Sequence, residues 1–77
     1  MKDKIADIKD KLIHRGIKPT YPRIKIFTFL INNFNHPNVE TIYEEIKKEI
    51  PTISKTTVYN TMKIFVKNGL ANELVIS

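Results

Sequence analysis

Residues 54–69, SKTTVYNTMKIFVKNG, show two chemically different faces when they are drawn as a helix. Val58, Met62, Phe65 and Val66 fall on one arc, at the i, i+4, i+7, i+8 spacing that is typical of a buried helix face. The opposite arc combines hydrogen-bonding, aromatic and cationic side chains and has no carboxylate: Thr56, Tyr59, Asn60, Lys63 and Lys67. The first arc therefore predicts a contribution to a core, and the second suits a polyanionic ligand.

Both ends of this helix carry local signals. Ser54 can accept a hydrogen bond from the free backbone N–H groups of the first turn, and Gly69 can adopt the left-handed conformation that ends a helix. Residues 51–53 leave room for only a tight turn between this helix and the one before it. Two helices joined so closely, the second basic and polar on its outer side, are typical of a helix-turn-helix. We predict that residues 54–68 form a recognition helix for the DNA major groove.

The remaining apolar patterns predict three further helices and a short strand. The segments are residues 2–15 with a stripe of Ile5, Ile8 and Leu12; residues 20–34, apolar over most of the helix circumference; residues 39–50 with Val39, Ile42, Ile46 and Ile50 on one side; and the β-rich residues 70–76. Asn38 can cap the third helix, and Gly16 and Pro51 end the first and third helices. The predicted fold class is mainly α, a winged helix-turn-helix with four helices and a truncated or short β wing.

Length and composition limit the class of protein. The 77 residues suffice for one domain with a thin core, and 42% hydrophobic with 27% charged residues is ordinary for a globular chain. We therefore expect a single domain over residues 1–77. No apolar run approaches the roughly 20 residues of a membrane span, and the start MKDKIADIKDK lacks the apolar core of a signal peptide. A cytoplasmic location with no membrane partner is expected.

The formal charge of +5 is unevenly distributed along the chain. Two stretches hold basic residues and no acid: Lys11, Arg15, Lys18, Arg23 and Lys25 in residues 11–39, and Lys55, Lys63 and Lys67 in residues 50–72. All but one of the acids lie in two other helical segments, and the exception is Glu73 in the predicted strand. This distribution predicts one positive surface on a molecule of otherwise mixed charge.

A stiff segment, residues 17–23, precedes the second helix, because Pro19 and Pro22 fix their own φ angles and restrict their neighbours. Thr20 can cap the helix that follows. Lys18 and Arg23 flank the free N–H groups at its start. They either clamp a phosphate there or are ordinary solvated cations.

The residues needed for catalysis are not grouped in this sequence. It has two distant histidines, no cysteine and no glycine-rich phosphate loop, and its carboxylates lie on charged helix faces. These features argue against an enzyme. His36, in a loop rich in Asn and Pro, reads by itself as a solvent-facing residue, since one ligand does not make a metal site.

Several short motifs resemble a known family. They are T-x-P-R at Thr20–Arg23, the loop His36-Pro37 leading to Ile42-Tyr43, T-V-Y at Thr57–Tyr59, and Gly69-Leu70. Together they resemble the N-terminal DNA-binding domain of the ferric-uptake-regulator family over nearly the whole chain. Asn60, where the iron-uptake members usually have arginine, makes the chain more similar to the peroxide-responsive repressor subgroup.

The resemblance implies a cytoplasmic, metal-dependent, homodimeric transcriptional repressor that binds palindromic double-stranded DNA. By the family pattern, Thr57, Tyr59 and Asn60 would lie in the major groove, with Ser54, Lys55 and Thr56 near phosphates. Lys18 would approach a neighbouring minor groove, and Arg23 the backbone. Thr20 and Lys63 complete the predicted DNA-binding set.

The resemblance also implies that His36 is a ligand of the regulatory iron or manganese. In the family the other ligands, a structural zinc and the dimer interface lie in a C-terminal domain that these residues do not include. No cofactor is therefore expected within residues 1–77, and the fragment alone should bind DNA weakly, perhaps as a monomer. Two alternatives stay open: an iron- or zinc-uptake regulator of the same family, or a winged-helix protein-interaction module that uses Tyr59, Ile64 and Lys67.

Overall fold

The computed structural model describes residues 5–33 and 37–71, and within these ranges the chain forms four α-helices. In chain order they are α1 (Ile5–His14), α2 (Tyr21–Ile31), α3 (Val39–Lys47) and α4 (Lys55–Lys67). The four predicted helices are confirmed, in the predicted order. α4 packs on both α3 and α2, and α1 packs on α2.

α1 is held by two of the three residues in its predicted apolar stripe. Ile8 and Leu12 are buried, whereas Ile5 is 63% exposed, so its predicted place in the core is wrong. Ile5 is the first residue of α1 that the structure describes, and it lines an open depression beside Tyr21 and Ile24 of α2. Gly16 ends the segment with φ at +74°, and the N–H of Ile17 donates to the carbonyl of Leu12 at 2.9 Å. This six-residue hydrogen bond is the Schellman arrangement.

α2 begins at the predicted cap, since the N–H of Arg23 donates to Oγ1 of Thr20 at 3.4 Å. Ile24, Ile26 and Phe27 are buried, Phe29, Leu30 and Ile31 are partly buried, and Tyr21 is exposed. The helix ends at Ile31, earlier than the predicted residue 34. Asn32 there leaves the helical conformation with φ −97° and ψ 1°.

α3 is three residues shorter than predicted, because it ends at Lys47 and not at Ile50. Residues 48 and 49 form a turn, which places Ile50 so that its N–H donates to Ile46 at 2.8 Å. The N–H of Ile53 then donates to Ile50 at 3.0 Å, and this closes the connection to α4. The predicted cap is present, with the N–H of Thr41 donating to Oδ1 of Asn38 at 2.8 Å.

The core lies where the four helices meet. Val58, Met62 and Phe65 of α4 are fully buried, as predicted, whereas Val66 is only half-buried and Thr61 takes the remaining buried position. The rings of Phe27 and Phe65 meet edge to face, with centroids 5.8 Å apart. Burial of this kind makes α4 inseparable from the fold, since removing a buried Phe side chain typically costs about 3–5 kcal/mol.

The predicted β wing lies mostly outside the described residues, which stop at Ala71. The described ranges contain no strand. Within them, none of the helices has the length and hydrophobicity that crossing a lipid bilayer requires.

Candidate nucleic-acid interface

The outer face of α4 is exposed along its whole length. Its five predicted polar and cationic side chains, Thr56, Tyr59, Asn60, Lys63 and Lys67, are all exposed. The side chains on the opposite side of the same helix fill the core, so the two-faced pattern of the sequence is confirmed. No residue of α4 is acidic. The result is an uninterrupted polar and positive surface about four turns long.

The start of α4 is fixed by its own side chains. The N–H of Thr57 donates to Oγ of Ser54 at 3.0 Å, and the two hydroxyl oxygens lie 3.0 Å apart. Ser54 therefore caps the helix as predicted, and its hydroxyl also contacts the hydroxyl of Thr57. The pair leaves Thr56 between them pointing outward and exposed.

The far end of α4 repeats the arrangement at the end of α1. Gly69 has φ at +80°, and the N–H of Leu70 donates to the carbonyl of Phe65 at 2.8 Å. The Arg15 guanidinium lies so close that a Cβ added to Gly69 would be 2.7 Å from its Nη1. A cation next to the last carbonyls of a helix complements the helix dipole.

Tyr59 and Lys63 form one unit in the middle of the face. The Lys63 ammonium lies 5.4 Å from the centroid of the Tyr59 ring, within cation–π range. Tyr59 is 43% exposed and is the large exposed hydrophobic side chain of α4. Asn60, Lys63, Ile64 and Lys67 line a shallow depression beside it. An aromatic face, an amide and two ammonium groups thus lie close together.

Lys55 behaves differently from the other lysines of α4, because its charge is already paired. Its Nζ lies 2.8 Å from Oε2 of Glu40 in the first turn of α3, and 5.6 Å from the Tyr43 ring centroid. The hydrogen bond to Glu40 raises the pKa of Lys55, and the negative charge of the same carboxylate adds to this effect. Lys47 lies over the same Tyr43 ring at 5.4 Å.

The segment before α2 holds its predicted residues in a compact arrangement. The Arg23 guanidinium donates to the backbone carbonyl of Lys18 at 3.1 Å. This bond joins the first turn of α2 to the segment before Thr20, the residue that caps the helix. Lys18 is exposed, while Thr20 and Arg23 are partly buried. Lys18 is therefore the more accessible of the two cations for an external anion.

Comparison with known proteins agrees with this arrangement. The Ferric uptake regulator family matches residues 14–77, which is most of the chain. The chain belongs to the ferric uptake regulator family. It is 31% identical over 70 residues to the "Peroxide operon regulator" of Bacillus subtilis (strain 168), covering 91% of this chain and 48% of that protein.

Two staphylococcal proteins are similar to the chain at a comparable level of identity. The chain is 33% identical over 70 residues to the "Peroxide-responsive repressor PerR" of Staphylococcus saprophyticus, covering 91% of this chain and 47% of that protein. It is 36% identical over 59 residues to the protein of the same name in Staphylococcus aureus (strain Mu50). That alignment covers 77% of this chain and 40% of the S. aureus protein. The chain thus spans about half the length of these relatives or less. No solved structure matches it.

The metal predicted from the family resemblance has no site among the residues described. His36 lies outside them, and within residues 5–33 and 37–71 no three His, Cys, Asp or Glu side chains come together as metal ligands would. The sequence has no cysteine to supply a thiolate. The described residues therefore do not by themselves fit a regulatory metal.

Sequence reasoning missed the contact between Glu40 and Lys55. The spacing of Glu40, Tyr43 and Lys47 indicates that they share one face of α3. Nothing in that spacing indicates that Lys55 reaches back across the turn to this row, because the reach depends on how α3 and α4 cross. The family resemblance implied that Lys55 lies near phosphates, and this role stays a prediction.

Proposed function

We propose that this chain is the DNA-binding domain of a metal-dependent transcriptional repressor of the peroxide-responsive type. The observation that supports it best is the exposed, acid-free outer face of α4 on a helix whose other face is fully buried. A helix presented in this way, directly after a tight turn, has the form of a recognition helix. The names of the B. subtilis and staphylococcal relatives support the peroxide-responsive assignment.

In the proposed complex the outer face of α4 enters the major groove. The Asn60 amide donates to and accepts from an adenine edge, and Tyr59 rests against a thymine methyl group or a phosphate. Thr57 reaches the bases beside them. Lys63 and Lys67 neutralise phosphates, and Ser54, Lys55 and Thr56 lie near the backbone. Lys18 approaches a neighbouring minor groove, with Arg23 and Thr20 supporting that loop.

In a longer protein of this family, two such domains would read the halves of a palindromic site. His36 would supply one ligand to iron or manganese, with the other ligands coming from a C-terminal domain. Reading two half-sites together raises affinity through effective concentration, so one domain alone binds weakly. This chain needs only to bind DNA; it performs no chemistry on it.

A salt titration of DNA binding tests the proposal. The 77-residue chain is titrated into a fluorescent duplex of mixed sequence at several salt concentrations. The logarithm of affinity should fall linearly with the logarithm of salt, by about 0.9 for each phosphate neutralised. Lys63→Gln and Lys67→Gln should each make this dependence shallower. Lys9→Gln, which removes an exposed charge from α1, serves as the control and should leave it unchanged.

Binding that does not depend on salt would contradict the proposal and favour the protein-interaction alternative. That alternative needs an apolar patch around Tyr59, Ile64 and Lys67. Ile64 is only half-exposed, so Tyr59 alone supplies a large exposed apolar surface there. The surface of α4 is thus better suited to a polyanion than to an apolar protein partner.

A further inference from the structure

Glu40 lies beside Lys55, the first residue of the proposed recognition helix, which carries no acid of its own. Glu44 also acts on the Lys55 charge, but the direct contact is with Glu40. The carboxylate contacts the Lys55 ammonium at 2.8 Å, and both side chains are more than half exposed, at 59% and 56%. An ion pair this exposed contributes little to folding stability, because solvent screens it. Its position therefore calls for an explanation other than the stability of the fold.

The pair joins the two helices of the helix-turn-helix at the place where DNA phosphates would pass. Glu40 is in the first turn of α3, and Lys55 is the first residue of α4. In a bound helix-turn-helix the first helix crosses the sugar–phosphate backbone while the start of the second meets the base edges. A lysine at the start of a helix faces the positive end of the helix dipole, and an anion beside it is favoured there. The Glu40 carboxylate thus occupies the kind of position that a phosphate oxygen would take.

From this geometry we infer that Glu40 limits the sequence-independent affinity of the domain by holding Lys55 in an ion pair that competes with DNA phosphate. The inference rests on the proposed function. Tyr43 strengthens the arrangement, because its ring lies against the same ammonium and keeps Lys55 folded back toward α3. Lys55 then contributes less to counterion release than Lys63 or Lys67, whose charges are not bound to a carboxylate among the described residues.

The consequence is a separation of roles within α4. Base-reading groups such as Asn60 keep their full effect on affinity for a matching site. The charge of Lys55, which would increase affinity for DNA of any sequence, is already paired with Glu40 before DNA binds. A domain of this kind loses less of its population to non-specific DNA, since phosphate contacts supply nearly all non-specific binding.

Glu40→Gln releases Lys55 and leaves a side chain of the same size. We expect this variant to bind a mixed-sequence duplex more tightly, with a salt dependence steeper by about 0.9, the value for one more phosphate neutralised. Between 50 and 200 mM salt, one such contact changes the affinity ratio by roughly 3.5-fold. Glu45→Gln is the matched control, because Glu45 is an exposed acid of the same helix that pairs with Lys48 and not with α4.

A double-variant cycle separates this competition from a general change in charge. In a Lys55→Gln background, Glu40→Gln should leave the salt dependence unchanged, because the cation that it would release is gone. Steepening of equal size in both backgrounds, or no steepening with Lys55 present, would overturn the inference. Thermal unfolding of each variant shows whether the domain is still folded.

The wild-type titration distinguishes the two levels of failure. If the wild-type chain shows no salt-dependent DNA binding, the proposed function is wrong and the role of Glu40 is wrong with it. If the wild type binds as proposed and only the Glu40 cycle fails, the domain is a DNA-binding module in which Glu40 does not regulate Lys55.

Discussion

At the scale of single residues, Asn60 is the side chain expected to carry most of the base reading. A carboxamide can make two hydrogen bonds to adenine, and each good pair discriminates by roughly 1–3 kcal/mol. Asn60→Ala should therefore weaken binding to a site selected from a random duplex library by that amount and leave mixed-sequence binding nearly unchanged. Lys63→Ala should weaken binding to both DNAs by the same factor. Equal losses on both duplexes for Asn60→Ala, in a competition titration, would remove Asn60 from base reading.

The two glycines offer a matched pair for measuring backbone strain at helix ends. Gly16 and Gly69 have φ at +74° and +80°, where a side chain on the backbone costs roughly 1–2 kcal/mol. A Cβ at Gly16 meets nothing within 4 Å, whereas one at Gly69 meets the end of the flexible Arg15 side chain. Because Arg15 can move aside, Gly16→Ala and Gly69→Ala should lower the free energy of unfolding by similar amounts. A much larger loss at Gly69, in urea denaturation, would show that Arg15 is rigidly held there.

At the scale of elements, Lys25 of α2 joins the turn after α3 by an ion pair with Glu49, with Nζ and Oε1 2.6 Å apart. The hydrogen bond to Glu49 raises the pKa of Lys25, against a smaller opposing effect of burial. A raised lysine pKa means that the stabilisation is fully present below the unfolded value near 10.5 and is lost as pH rises through the folded value.

Lys25→Met should therefore lower the unfolding free energy by less than about 1 kcal/mol at neutral pH, since Glu49 is largely exposed. The difference between wild type and variant should shrink at pH values above the ordinary lysine range, and also in high salt at neutral pH. Parallel urea denaturation curves across this pH range check both points. A difference that persists at high pH would show that the Lys25 stem contributes through packing and not through charge.

The end of a helix could be predicted only where a capping side chain or a glycine marks it. Ser54, Thr20 and Asn38 cap their helices as expected, and both glycines end theirs. The ends of α2 and α3 were placed too late, because apolar periodicity continues past the last helical turn. Pro51, which was expected to end α3, lies four residues beyond Lys47. Ile5 was placed in the core because it continues the apolar spacing of Ile8 and Leu12, and spacing alone does not show which residues of a stripe are covered.

At the scale of the whole molecule, the exposed surface of α4 could be predicted from the sequence. The buried and the exposed side chains belong to the same helix, so their spacing alone assigns each to a face. The contact of Lys55 with Glu40 could not be predicted in this way, because it joins two helices whose crossing is determined by the packing of Phe65, Met62 and their neighbours in the core. The pairing of Lys25 with Glu49 was missed for the same reason. Contacts within a helix are readable from spacing, whereas contacts between helices need the packed arrangement.

Metal dependence is a further prediction for the whole chain. Since His36 alone supplies one ligand, we expect neither added Mn²⁺ nor a chelator to change the DNA affinity of the 77-residue chain, and His36→Ala to behave like wild type. The same titrations with and without metal, alongside sedimentation measurements of mass, check this together with the expected monomeric state. A gain in affinity with Mn²⁺ that His36→Ala abolishes would mean that this chain holds a complete site.

The division of α4 into a buried and an exposed face also bears on how such domains diversify. Thr56, Tyr59, Asn60, Lys63 and Lys67 are exposed, so most substitutions among them leave the folded state about as stable as before. The need to keep the protein folded therefore places little constraint on substitutions at these exposed positions. Under the proposed function, a duplicated gene could therefore acquire a new operator preference in a few steps while its paralogue keeps the old one. Evolution of sequence preference and conservation of the scaffold can proceed in the same helix at the same time.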